Sequence, residues 1–186
     1  VSRLLRPAGP DACAAAAAEL LCESLGEKAF TAEGLAAKVA EGALLMLLFE
    51  EGLLRGAGLC EVLGEDRAWF APFGEAGRLA MGEGRVGLLT GMAVSPGHRA
   101  KGRGAALAGP LLRHLVEQGC ARIVAVSWLS GGPNPSGPLL ERLCFVPVVE
   151  APGVFLEDSR RYGLVCPTCG GDCMCAGRLY VRVQAA

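Results

Sequence analysis

Met92-Ala-Val-Ser-Pro96-Gly-His-Arg99-Ala-Lys-Gly102-Arg-Gly104 is the stretch on which the reading of this chain turns. An almost continuous apolar run, Arg85 to Val94, precedes it, as in a strand covered on both faces. Leu107, Leu111 and Leu115 follow four apart, with Ala108 and Leu112 beside them, which predicts a helix from about Gly102 to Gln118. The first amides of such a helix have no partner within it. Together with the helix dipole they attract an anion, by about 0.3–1 kcal/mol per charge at an exposed site. Gly102 and Gly104 let phosphate oxygens approach the backbone closely. Arg99, Lys101 and Arg103 add positive charge. The stretch is neither a Walker loop, since Gly-x4-Gly-Lys-Ser/Thr is missing, nor a Gly-x-Gly-x-x-Gly dinucleotide fingerprint.

Working outward, residues 2 to 6 suit a first strand closed by Pro7, and Asp11 is placed to cap an Ala-rich helix that stops at Gly26. Thr31 starts a second helix, ending near Gly42. Strands are expected at Leu44–Phe49, Gly58–Leu63 and Arg67–Phe70, and a loop over Pro72–Gly84. Pro110 falls inside the helix after the phosphate loop and predicts a bend there. Further on come a strand at Arg122–Leu129, a loop at Gly131–Gly137, a short helix at Leu139–Leu143, and strands at Phe145–Val149 and Arg178–Val183. This order predicts a mixed α/β sheet covered by helices.

Composition sets limits on function. The chain has 186 residues, so a single compact domain is expected, and it needs neither disulfide nor metal to bury a core. A net charge of −1 gives no general attraction for nucleic acid. No apolar run reaches the length of a membrane span, and the start lacks the pattern of a signal peptide. A cytoplasmic protein without nucleic-acid or membrane partners is therefore expected, in a compartment where thiols stay reduced.

The phosphate stretch resembles the acetyl-CoA motif of the GCN5-related N-acetyltransferase (GNAT) superfamily. That motif, Arg/Gln-x-x-Gly-x-Gly/Ala after a strand ending in Val-x-Pro, is matched by Arg99, Gly102 and Gly104. Leu5-Arg-Pro-Ala8 looks like the family's opening strand, and Leu139-Leu-Glu-Arg-Leu-Cys-Phe145 like its late helix signature. The resemblance implies an α/β (α+β) fold: a mixed, mainly antiparallel central sheet flanked by helices, with a splayed strand pair at the cofactor site. It implies that amides of Arg99, Ala100, Lys101, Gly102, Arg103, Gly104 and Ala105 hold the pyrophosphate of acetyl-CoA. Main-chain groups of Met92 and Val94 would pair with pantetheine, and Asn134, or Ser136, lies near the family's usual Asn. The reaction implied is attack of a small-molecule or protein amine on the thioester, and the resemblance admits a homodimer.

Two departures bear on catalysis. Leu140 stands where the family has a general-acid Tyr, and Cys144 where it has Gly. Leu cannot protonate a thiolate; Tyr162 and Tyr180 are the alternative phenols. Glu61 is the base candidate among acidic residues on expected strands, set against its reading as a solvated strand-edge Glu. The alternative to an enzyme is a non-catalytic protein that binds acyl-CoA or a partner.

Cys166-Pro-Thr-Cys169-Gly-Gly-Asp-Cys173-Met-Cys175 places four thiols within ten residues. Cys-Pro-x-Cys-Gly is the form of a zinc knuckle, and Cys-x-Cys in extended chain points both sulfurs one way. A small four-cysteine loop, residues 164–177, binding structural Zn²⁺ is expected. Unmetallated thiols, an iron–sulfur centre and thiol redox chemistry remain as alternatives.

Overall fold

The computed structural model describes residues 3–7, 13–65, 67–130, 134 and 136–184. Among them, strands β1 (Arg3–Pro7), β2 (Leu44–Glu50), β3 (Leu53–Leu63), β4 (Val86–Val94), β5 (Arg122–Leu129), β6 (Val146–Ala151) and β7 (Ala176–Val183) form a sheet of order β1-β2-β3-β4-β5-β7-β6. The helices are α1 (Ala14–Leu25), α2 (Ala32–Ala40), α3 (Gly74–Met81), α4 (Arg103–Glu117), α5 (Gly137–Arg142) and α6 (Leu156–Tyr162). The class is mixed α/β with a mostly antiparallel sheet, as expected. No helix among the described residues is long and apolar enough to cross a membrane. The chain divides into two compact units, 1–61 with 89–114, and 62–88 with 115–186.

In the first unit, β1 and β3 flank β2 antiparallel, with Leu5 opposite Leu48 and Met46 opposite Gly58. Alternation along β3 sends residues to opposite faces. Ala57 and Leu59 meet Leu45 and Leu47 of β2, Ala93 of β4, and the α1–α2 face built from Ala17, Leu21 and Leu35. Gly56 and Gly58 lie on the other side, under α4. A Cβ on Gly56 would sit 2.7 Å from Leu107 Cδ1 and 3.3 Å from the Ala93 carbonyl; on Gly58 it would sit 2.8 Å from Leu111 Cδ1. These two glycines therefore set how closely α4 approaches the sheet. Thr31 caps α2 as expected, its Oγ1 accepting from Gly34 N at 3.0 Å. Asp11 and Ala8 lie outside the described residues; α1 begins after Cys13, which makes no side-chain cap.

In the second unit, β7 pairs antiparallel with β5 on one side and β6 on the other, from Arg122 opposite Val183 to Leu129 opposite Ala176 on the first. Phe70, Phe73, Met81, Val86, Val124, Val154, Leu179 and Val181 form its core.

Three expectations fail here. Arg67–Phe70 is not a strand: Ala68–Phe73 is a 3₁₀ turn. Three residues per turn bring Phe70 and Phe73 to one side, and both are buried. Pro72–Gly84 is not all loop, because it contains α3, whose glycines lower its propensity. Helix α6 has no counterpart in the expected order, yet its pattern is readable: Glu157 and Asp158 in the first turn, Arg160 and Arg161 in the last, and Gly163 left-handed at its end. Helix α4 continues through Pro110. Residues 131–133 and 135 of the expected Gly131–Gly137 loop lie outside the described residues.

Gly56→Val is expected to lower the unfolding free energy by about 1–3 kcal/mol through overpacking against Leu107. Gly64→Ala, where a Cβ meets open space, should stay within about 0.5 kcal/mol. Urea midpoints at unchanged slope measure both.

Candidate functional site

The loop between β4 and α4 belongs entirely to the first unit. Pro96–His98 form one 3₁₀ turn, with Ser95 Oγ 3.1 Å from His98 Nδ1. Two residues then take left-handed backbone, Ala100 at φ 56° and Gly102 at φ 76°. For Ala that conformation is strained by about 1–2 kcal/mol, the kind of cost met at ligand clamps. The first intrahelical bond of α4 runs from Ala106 N to Gly102 O, at 3.0 Å. The amides of Arg103, Gly104 and Ala105 therefore precede the helical ladder and are its unsatisfied donors. Left-handed residues next to a helix start make a concavity of N–H groups suited to an anion.

The charged side chains of the loop have partners of their own. Arg99 Nε donates to Val94 O at 2.8 Å, and its Nη2 to Ser24 Oγ at 3.2 Å. Lys101 Nζ donates to Gly97 O at 3.2 Å. Arg103 reaches down to Glu50, with Nε 2.9 Å from Oε2 and Nη2 bonding the same oxygen. That pair is buried, with side chains 11% and 5% exposed. The charge counted at Arg103 from sequence is thus matched by a carboxylate on β2, and its side chain anchors the first turn of α4.

Glu61 lies near the end of β3 with both oxygens engaged. Lys38 Nζ of α2 donates to Oε2 at 2.6 Å, and Thr90 Oγ1 of β4 donates to Oε1 at 2.8 Å. Its side chain is 22% exposed.

Asn134 belongs to the second unit. Its Oδ1 accepts from Gly137 N at 2.9 Å and from Ser127 Oγ at 2.5 Å, so it caps α5. Its Nδ2 donates to Tyr180 Oη at 3.0 Å. Ser136 Oγ, 2.7 Å from Ser127 Oγ, joins the same buried network. Sequence reasoning missed this network, because Ser127 and Tyr180 come from different strands. Leu140 is buried on α5, its carbonyl accepting from Phe145 N. Tyr162 is exposed, whereas Tyr180 is fully buried.

The four clustered cysteines converge as expected: one sulfur from each lies within 4.8 Å of the others. Cys166 Sγ is 3.7 Å from Cys175 Sγ, which is 3.6 Å from Cys169 Sγ. Thr168 N and Cys169 N donate to Cys166 Sγ at 3.4 and 3.3 Å. Burial raises the Cys166 thiol, but these two amides and the thiols of Cys173 and Cys175 outweigh it and bring it to about 7. Burial pushes Cys173 up to about 12 and raises Cys175 too. A bound divalent ion would override these shifts, since it deprotonates coordinating thiols outright. Trp128 and Phe155 pack against the group, with ring centroids 5.0 Å apart.

The Acetyltransferase (GNAT) family model matches residues 18–131, more than half of the chain. The chain belongs to the GNAT acetyltransferase family. Solved structures share its fold at low identity, which speaks to fold alone. Arabidopsis thaliana NAA60 in complex with acetyl-CoA is 16% identical, with a TM-score of 0.68, covering 98% of each chain. The ribosomal-protein-S18-alanine N-acetyltransferase of Escherichia coli is 16% identical with a TM-score of 0.67, covering 100% of this chain and 96% of that one. The putative acetyltransferase yncA of Salmonella typhimurium, with its cofactor acetyl-CoA, is 16% identical with a TM-score of 0.66, covering 99% and 96%. No curated protein sequence matches significantly.

Replacing Arg103 by Met removes the cation facing a buried carboxylate. Loss of about 3–5 kcal/mol of stability is expected, as for other broken buried pairs. Chemical denaturation measures it, and a loss below about 1 kcal/mol would show that the pair does not anchor α4.

Proposed function

We propose that this GNAT protein transfers the acetyl group of acetyl-CoA to an amine, from a small molecule or a protein. The observation that carries this reading is the set of free amides at the start of α4, approached through left-handed Ala100 and Gly102. A Cβ on Gly97 or Gly102 meets nothing within 4 Å, so the backbone at these two positions is open. In this reading the amides from Ala100 to Ala105 hold the pyrophosphate, that of Arg99 being spent on Pro96 O at 3.3 Å, and main-chain groups of Met92 and Val94 pair with the pantetheine arm. Asn134 Oδ1 is taken up by Gly137 and Ser127 and one Nδ2 hydrogen by Tyr180, so its second Nδ2 hydrogen is the one that this reading offers to the cofactor.

Acetyl-CoA supplies a thioester whose leaving group is a comparatively stable thiolate. The chain must bind it, align an amine, and take a proton from that amine. Glu61 is the base of this reading. Lys38 and Thr90 each take one lone pair of its two oxygens, which leaves each oxygen a further lone pair to accept from the incoming amine. Leu140 contributes no proton. A Zn²⁺ at the four cysteines would be structural and outside the transfer.

Incubation with acetyl-CoA and an amine panel should release thiol. Ala105→Pro removes one amide from the first turn of α4, where Pro is tolerated and the preceding Gly104 lacks a Cβ to clash. The dissociation constant for CoA is expected to rise about 10–100-fold, as for a lost hydrogen bond to a charged group, with the melting temperature kept. Glu61→Gln should lower kcat by about 10²–10⁴-fold and leave CoA binding intact. Leu140 favours a second reading, a GNAT protein that binds acyl-CoA without turnover; calorimetric binding with no thiol release on any amine would select it.

A further inference from the structure

We propose that Cys166, Cys169, Cys173 and Cys175 bind one Zn²⁺ in a closed tetrahedral thiolate site that orders the ends of β5, α6 and β7. A regular tetrahedron with Zn–S bonds of about 2.3 Å has sulfurs about 3.8 Å apart. The sulfur pairs at 3.6 and 3.7 Å match that edge. They are far from the roughly 2.05 Å of a disulfide, and all four cysteines are free. A cluster of several irons needs its thiolates spread over different metal atoms, so four sulfurs within 4.8 Å suit a single ion.

The surroundings point the same way. Backbone N–H groups of Thr168 and Cys169 aim at Cys166 Sγ, the arrangement that supports a thiolate ligand. The indole Nε1 of Trp128, packed against the cysteines and beside Cys175, is buried without a hydrogen-bond partner of normal geometry. The Cys175 sulfur, drawn in as a metal-bound thiolate, would supply its acceptor. Buried thiolates need a cation among them. With all four ligands from the protein, no position remains for substrate, so the role is structural.

The segment 164–175 has no helix or strand of its own. A loop of that length seldom holds one shape unaided. Here Cys173 N donates to Ser159 Oγ of α6 at 3.0 Å, Gly153 N donates to Cys175 O at 3.1 Å, and Arg160 of α6 pairs with Asp172 at 2.8 Å. Cys175 adjoins the first residue of β7, and Trp128 stands at the end of β5. An ion at the four sulfurs therefore ties all three elements together.

The test is metal content of the full-length protein, purified without added metal and again after equilibration with Zn²⁺. About one zinc per chain is expected, retained on dialysis and released by a thiol-specific mercurial with a shift in Trp128 fluorescence, read in a Trp69→Phe background. Cys169→Ser, whose ligand faces solvent, should fold by circular dichroism and lose the zinc. Cys144→Ser, outside the cluster, should keep it. Trp128→Phe keeps the packing but loses the N–H, and should weaken zinc affinity about 10–100-fold. Substoichiometric zinc in both preparations of the folded protein overturns the proposal. So does stoichiometric iron in place of zinc, or zinc that survives Cys169→Ser unchanged.

Discussion

The buried pair between Arg103 and Glu50 is the contact on which the start of α4, and the loop that leads into it, depends. Glu50 ends β2, and Arg103 is the first residue of α4. Their charges are removed from water together, so the geometry that lets them meet is strongly enforced. It fixes where α4 begins, and with it where three unsatisfied amides point. Gly56 and Gly58 supply the other half of the constraint by admitting Leu107 and Leu111 onto β3. A helix held at its start by an ion pair and along its length by close packing has little freedom to move its amides.

This changes the electrostatic account of the loop. Three basic side chains in six residues suggest a site held by side-chain charge. In the structure Arg103 is neutralised from below, and Arg99 and Lys101 spend donors on Val94, Ser24 and Gly97. Attraction for an anion then rests on the helix start and the left-handed Ala100 and Gly102 more than on net charge. The strain accepted at Ala100 is intelligible as the cost of aiming that backbone.

Sequence alone reveals the parts of this molecule set by local rules. The Leu107-Leu111-Leu115 spacing, the Thr31 cap and the apolar run of β4 each act over a few residues, and each element appears as expected. So does the convergence of the four cysteines, because their spacing already confines them. What escapes sequence depends on distant partners or weak propensity. Helix α3 contains Gly74 and Gly77 and is stabilised by burying Gly77 and Met81. The aromatic spacing of Phe70 and Phe73 signals a 3₁₀ turn only once a core exists to cover both. Glu50 lies 53 residues from Arg103, and Ser159 fourteen from Cys173, so neither contact is visible in a local window.

The same distinction explains how a fold can be shared at 16% identity. A pyrophosphate held by backbone amides asks little of side chains: glycine where a left-handed or close-approach conformation is needed, and a helix that starts in the right place. Most residues around it can change without moving an amide. In the proposed reaction an acceptor amine, by contrast, is recognised and deprotonated by side chains, and there Leu140 offers no proton and Glu61 is paired with Lys38. The thioester tolerates the first, since a thiolate can leave unprotonated. The second is different: an amine held as ammonium cannot attack at all, so for the proposed transfer proton removal, not departure of CoA, is the step that this chain's own residues must provide.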